Sequence, residues 1–224
     1  MTDRTATVDT VVFDLDGTLV DSTFHHALAW HRAFLSVGHD IPMWRLQRHI
    51  GMGGDRLVAA VAGDQVEQEV GERVREAWEK EYDAMLDEPV LLPGARELMA
   101  ALRERGVRVV LASSAIPRHA ARVLRLLDAD RRADASLTGE DAEQSKPDPE
   151  LVEKAMASVD ATCSLLVGDS VWDVEAANRA GIPTVAVLSG GYAEDELRAA
   201  GATWVFEDPA DVLAHLDQIV VPIG

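Results

Sequence analysis

Cationic side chains are scarce in this chain of 224 residues, where 21 Lys and Arg stand against 39 Asp and Glu for a formal net charge of −18. Nucleic acid and anionic membrane surfaces are bound through clustered Lys and Arg that neutralise phosphates, so neither is expected as a partner. Small anions stay open, because one lysine or a divalent cation can reverse the sign inside a pocket. Only three lysines are present: Lys80, Lys146 and Lys154. Cysteine is scarcer still. Cys163 alone cannot form an intrachain disulfide, which fits a reducing compartment. In "DATCSLLVGD" no histidine stands near it, so it reads as a small apolar residue opening a buried run rather than as a nucleophile. No apolar run approaches the ~20 residues needed to cross a bilayer, and the opening "MTDRTATVDT" has no leader-type apolar segment. A cytoplasmic monomer or homodimer is the expectation.

What is present is an ordinary globular share of apolar residues, 47%, enough for one large domain or for a core with a smaller insert. Short β-branched runs recur, each followed by a turn and a helical pattern: "TVVF", "VRVVLAS", "CSLLVGDS", "IPTVAVLS" and "ATWVFED". That alternation predicts an α/β fold, a doubly wound parallel sheet covered by helices on both faces. The stretch between Leu19 and Leu92 is different. It shows no strand pattern, only helical periodicity over residues 24–37, 43–61 and 66–86, divided by the turn signals "SVGHD", "GMGG" and "AGD". The reading is a core of residues 1–19 and 92–224 with an α-helical cap, residues 20–91, inserted after the first strand.

Within "VVFDLDGTLVDS", Asp14 and Asp16 lie two positions apart at the end of a buried run and would face one space. A cation between them, a proton on one of them, or plain hydration could each relieve their repulsion. Ligands of open parallel sheets bind outside the carboxyl ends of the strands, which singles out four places. These are Asp14 with Asp16, Ser113 with Ser114 after "VVLA", Lys146 in "EQSKPDPE", and Asp169 with Asp173 in "LLVGDSVWD". Each has a bland reading: Asp169 could merely cap the helix that starts near Val171, and Asp173 could be surface charge on it.

In this order, each after a strand, the four places resemble the motifs of the haloacid dehalogenase superfamily: "DLDGT", Ser113, Lys146 and "GDSVWD". The resemblance spans essentially the whole chain and, with a helical cap after the first motif, extends to the phosphoglycolate phosphatase and β-phosphoglucomutase branch. It implies Mg2+, held by Asp14 and Asp169 and by Asp16 through its backbone carbonyl, with Asp173 supporting these ligands from behind or holding the metal through water. It also implies Asp14 as nucleophile, Asp16 as proton shuttle, and Ser113, Ser114 and Lys146 on the phosphoryl oxygens. The chemistry agrees with these roles. A phosphate dianion repels a carboxylate nucleophile, so attack needs compensating charge from hard-ligand magnesium and a fixed ammonium. An acid at position 16 argues against dehalogenation, in which a halide leaves without a proton. The expected function is a phosphatase for a small phosphorylated metabolite; the alternatives are a sugar phosphate mutase and, more remotely, a phosphoacceptor signalling module.

The cap stretches "STFHHALAWHRAF" and "RLQRHIGMGGDRLV" supply the substrate-side candidates His26, Gly53, Gly54 and Arg56. His26 stands where the mutase branch has a histidine, although "HHALAWH" also fits an amphipathic helix. Where mutases carry an Arg that grips a second phosphate, the turn offers Gly53 and Gly54, with Arg56 displaced along it. Trp30 and Trp44 read as cap core, Thr18 as a loop residue able to hold Asp16, and Asp148 with Pro149 as the start of a helix behind Lys146.

Overall fold

The computed structural model describes residues 8–220; the opening residues 1–7, part of the stretch read above for a leader, lie outside them. Six parallel strands form the central sheet: β1 (Thr10–Phe13), β4 (Arg108–Ala112), β5 (Ala135–Leu137), β6 (Ser164–Gly168), β7 (Thr184–Val187) and β8 (Trp204–Phe206), in the order β5-β4-β1-β6-β7-β8. β1, β6 and β7 are buried along their whole length, which is why they read as unbroken apolar runs rather than as alternating ones. Alternate residues serve opposite faces. Val11 and Phe13 pack with Leu98 and Leu102 of α5 (Ala95–Glu104), whereas Val12 packs with Leu151, Val152 and Ala155 of α8 (Glu150–Ala157). Each large side chain buried this way contributes about 1.5–3 kcal/mol. The helices α6 (Pro117–Leu127), α7 (Ala129–Arg132), α9 (Val171–Ala180), α10 (Glu194–Ala200), α11 (Pro209–Ala214) and α12 (Leu216–Ile219) complete the layers.

Between β1 and α5 the chain builds α1 (Thr23–Ser36), α2 (Met43–Gln47), α3 (Gly54–Ala62) and α4 (Asp64–Asp83) around a separate apolar cluster that includes Trp30, Phe34, Leu46, Leu57 and Val74. The long α4 is strongly acidic and buries Gly71, Val74 and Tyr82 on its inner face, with Val66, Val70, Ala77 and Trp78 packed against the apolar clusters beside them. Two details differ from the sequence reading. The stretch is not free of strands: Val20–Asp21 (β2) and Val90–Leu91 (β3) pair antiparallel where the chain leaves and re-enters the core. Trp44 is not core. The five-residue α2 turns Leu46 and Gln47 inward, and Trp44 on its outer side is 71% exposed.

Candidate active site

The sheet order reverses at β1, with β4 and β5 on one side and β6 to β8 on the other, which opens a crevice beyond the carboxyl ends of β1 and β6. Asp14 immediately follows β1, Asp169 follows β6 and Ser113 follows β4. Lys146, from the loop before α8, reaches the same place and is 1% exposed. Its ammonium makes a short ion pair with Asp14 Oδ1 and lies 2.7 Å from Asp173 Oδ1. Asp14, Asp169 and Asp173 bring carboxylate oxygens within 4.8 Å of one another. Three buried carboxyl oxygens answered by one ammonium form a hard donor set that suits a small divalent cation.

Local structure fixes each acid. Ser170, not Asp169, caps α9: Asp173 N–H donates to Ser170 Oγ, and Asp173 Oδ2 accepts from Ser170 N–H at 3.1 Å and Ser170 Oγ at 2.5 Å. One oxygen of Asp173 thus completes the capping box while the other faces Lys146. Asp169 is left free for the crevice. Thr18 Oγ1 donates to Asp169 Oδ1 at 3.1 Å, so it holds Asp169 rather than Asp16. Gly17, at φ +80°, and Gly190 leave room for the Asp169 side chain, which a β-carbon at either position would strike.

Asp16 occupies a different environment. Ser22 stands at the N-cap of α1, yet its hydroxyl donates to Asp16 Oδ1 at 2.6 Å instead of serving the helix. His26 Nε2 lies 3.2 Å from the same oxygen, and its ring stacks on Tyr82 with centroids 3.9 Å apart. The Asp16 carboxylate therefore points toward α1 and is not part of the three-acid group. The electrostatics separate the two aspartates accordingly. Burial, reinforced by Asp173 and Asp16 and opposed by Lys146, pushes the Asp14 carboxyl up to about 7. Burial also acts on Asp16, but the charge and hydrogen bond of His26 and the Ser22 hydroxyl outweigh it and hold that carboxyl below its ordinary range. Asp169 is raised well above its ordinary value by burial and then by Asp173 and Asp14. For Lys146, burial is outweighed by Asp14 and Asp173, which keep it charged.

Ser113 Oγ accepts from Ala115 N–H at 3.0 Å, which shapes the turn after β4 and leaves its own hydrogen to donate. Ser114 lines a cavity of about 60 Å³ together with Asp14, Asp16, His26, Trp30 and the turn Ile50 to Gly54. Gly53 and Gly54 thus come to the acids, while Arg56 does not line this cavity and donates instead to Gln144 at 2.7 Å across the interlayer gap. The helical layer rests on the core through Gln47 Nε2, which donates to the Gly190 carbonyl at 2.7 Å, and through Arg48, paired with Glu196 at 2.5 Å. Asp148 Oδ1 does accept from Glu150 N–H at 3.1 Å, but α8 starts one residue later than expected and Pro149 sits at its N-cap. Ser22, Tyr82 and Gly190 were missed by the sequence reading; "DSTFHH", with a cap-type Ser before a helix, carried the only signal for the first.

Comparison with known proteins was consistent with this geometry. The model of the haloacid dehalogenase-like hydrolase family matches residues 8–181. A curated phosphoglycolate phosphatase of Pseudomonas fluorescens is 33% identical over 218 residues, covering 94% of this chain and 78% of that protein. Among solved structures, a hydrolase from Pseudomonas syringae superposes with a TM-score of 0.89 at 36% identity, covering 94% of this chain and 99% of its own. A β-phosphoglucomutase from Clostridium difficile shares the fold, with a TM-score of 0.80 at 20% identity over 94% of this chain and 96% of its own.

Proposed function

The chain belongs to the haloacid dehalogenase-like hydrolases, as a phosphatase, and from that premise we propose that it cleaves a small phosphorylated metabolite with magnesium through a phosphoryl intermediate on Asp14. The observation that carries this reading is the buried group of Asp14, Asp169 and Asp173 around Lys146 at the point where the strand order reverses. Asp14, Asp169 and Asp173 would hold the ion, with the Asp16 backbone carbonyl as the family resemblance implies. Bound magnesium supplies positive charge to the phosphoryl oxygens and keeps Asp14 ionised.

An Asp14 oxygen attacks phosphorus, the ester P–O bond breaks, and the electron pair leaves on the alcohol oxygen, which takes a proton from Asp16. Water then attacks the phosphoryl group, gives its proton to Asp16, and the P–O bond to Asp14 breaks to release phosphate. The contact with His26 and Ser22 favours the ionised form of Asp16, the form that the second displacement needs. Lys146 and Ser113 stabilise charge on the transferring group. Residues 20–91 act as a lid that excludes bulk water, with residues 51–54 facing the acids. Hydrolysis is favoured over mutation because Arg56, the nearest counterpart of a second-phosphate grip, is bound to Gln144 and faces Asp55 at 3.8 Å. Among the described residues no helix is long and apolar enough to cross a membrane.

A screen of phosphorylated metabolites for inorganic phosphate release should show turnover with magnesium, none in excess chelator, and none in Asp14→Asn despite an unchanged fold. Substantial release by that variant would overturn the covalent mechanism.

A further inference from the structure

Resting on the phosphatase reading above, we infer that the alcohol part of the substrate occupies a second cavity and carries hydroxyl or ammonium donors but no anionic group. The cavity at Asp14 and Asp16 is small, about 60 Å³. It adjoins one of about 290 Å³, and the two share Gly53, Gly54, Trp78 and Ser114 as walls. The second space is the roomier of the two and has the greater room for the alcohol part of the substrate.

The charges around the second cavity decide what that alcohol can carry. Its single lining cation is Arg75, already held 2.9 Å from Glu67. Lining Asp55 faces Arg56 at 3.8 Å, and lining Glu79 faces Arg118 at 3.2 Å. Glu140 and Glu143 also line the space and form no ion pair among the described residues. The wall thus offers two free carboxylates and no free cation. A carboxylate or second phosphate on the leaving group would be placed beside like charge with nothing to compensate it, which selects against such partners. Hydroxyl or ammonium hydrogens would find acceptors instead. Trp78 Nε1 and Ser145 Oγ, which also line the space, are buried atoms without a hydrogen-bond partner among the described residues, and polar groups of that kind are ordinarily satisfied; the indole N–H needs an acceptor, which a hydroxyl supplies and an ammonium does not.

Phosphoglycolate and phosphoethanolamine are close in size and differ by carboxylate against ammonium, so they isolate the charge, and ribose 5-phosphate tests the hydroxyls. With magnesium and low salt, kcat/KM for the ammonium or the sugar ester should exceed that for phosphoglycolate by about tenfold or more, which corresponds to ~1.4 kcal/mol. Raising salt should narrow the difference between the two charged esters, and Glu140→Lys with Glu143→Lys should shrink or reverse it. Phosphoethanolamine leading assigns the selection to charge; ribose 5-phosphate leading assigns it to hydroxyl donors. Equal or faster cleavage of phosphoglycolate, or a ratio unmoved by both salt and the double variant, would overturn the inference and leave the phosphatase reading standing. No phosphate from any ester, p-nitrophenyl phosphate included, would overturn both.

Discussion

Replacing Gly190 by alanine should disable the enzyme by moving a single carboxylate. The glycine backbone avoids the left-handed region, so the substitution adds no conformational strain there; its only effect is steric. A β-carbon at position 190 would stand 2.5 Å from Cγ and 2.7 Å from Cβ of Asp169. Its nearest contact would be Asp169 Oδ2 at 1.7 Å, and carbon atoms in favourable contact keep about 3.5–4.0 Å apart, so the Asp169 side chain must withdraw by about 1–1.5 Å. A displacement of that size at a reacting centre costs on the order of 10²-fold in rate. Overpacking adds about 1–3 kcal/mol of destabilisation, or a Tm lower by roughly 2–12 °C in a chain of this length. Gly181→Ala is the control. Gly181 has φ +75° but no neighbour within 4 Å of its would-be β-carbon, so that variant should lose stability while keeping its activity. Phosphate release across a magnesium titration, with thermal unfolding of the same samples, separates the two effects. Activity of Gly190→Ala within about threefold of the parent at saturating magnesium would refute the claim that Gly190 sets the position of Asp169.

Asp16→Ala should lose about 10²- to 10⁴-fold in kcat/KM, which reports the first displacement, with alkyl phosphates and much less with p-nitrophenyl phosphate, whose leaving group needs no proton; equal losses in kcat/KM for both esters would remove Asp16 from protonating the leaving group. His119 is held below its ordinary 6.5 chiefly by burial, against its Asp83 hydrogen bond and with His26 and Arg118 nearby, so it folds neutral while the unfolded chain binds the proton. Its contribution to stability is therefore full above about 6.5 and declines as pH falls below it, and His119→Gln should flatten the dependence of Tm on pH between 7.5 and 5.5. If the helical layer is a lid, X-ray scattering should give a smaller radius of gyration with magnesium and beryllium fluoride than without. Gln47→Ala combined with Arg48→Ala should enlarge the free enzyme; identical curves throughout would make the layer a fixed wall.

The core acids were legible because each follows a β-branched run that can only be a buried strand, and the parallel alternation then puts all of them at one sheet edge. Asp169 and Asp173 needed the strand before them and the helix after them to be read correctly, and both signals were local. The short edge strand β5, "ASL", lacks that density of β-branched residues and was not read as a strand. Trp44 misled because an aromatic in a helical stretch normally packs inward, whereas α2 is too short to bury two sides. The supports of the site were not legible for a different reason. Ser189 Oγ donates to the Gly17 carbonyl at 2.6 Å, and Thr18 reaches Asp169, across 172 and 151 positions of chain. Local pattern carries no information about such pairs; they exist only once the sheet has gathered the carboxyl ends of β1, β6 and β7.

The two-residue ladder of β2 and β3 has a mechanical consequence. A helical layer tethered by one peptide strand could twist, tilt and slide, whereas here the outgoing and returning strands are zipped side by side, Val20 against Leu91 and Asp21 against Val90. Sliding would shear that register and twisting would cross the two strands, so tilting about an axis through the ladder is the freedom that survives. If the layer moves on the core, the pair would act as a clasp that limits the movement to tilting, and residues 51–54 would approach the acids along a repeatable arc rather than by diffusion of a loose lobe. Severing either strand alone would leave the layer attached by the other and by its seat on the core, but the arc would be lost.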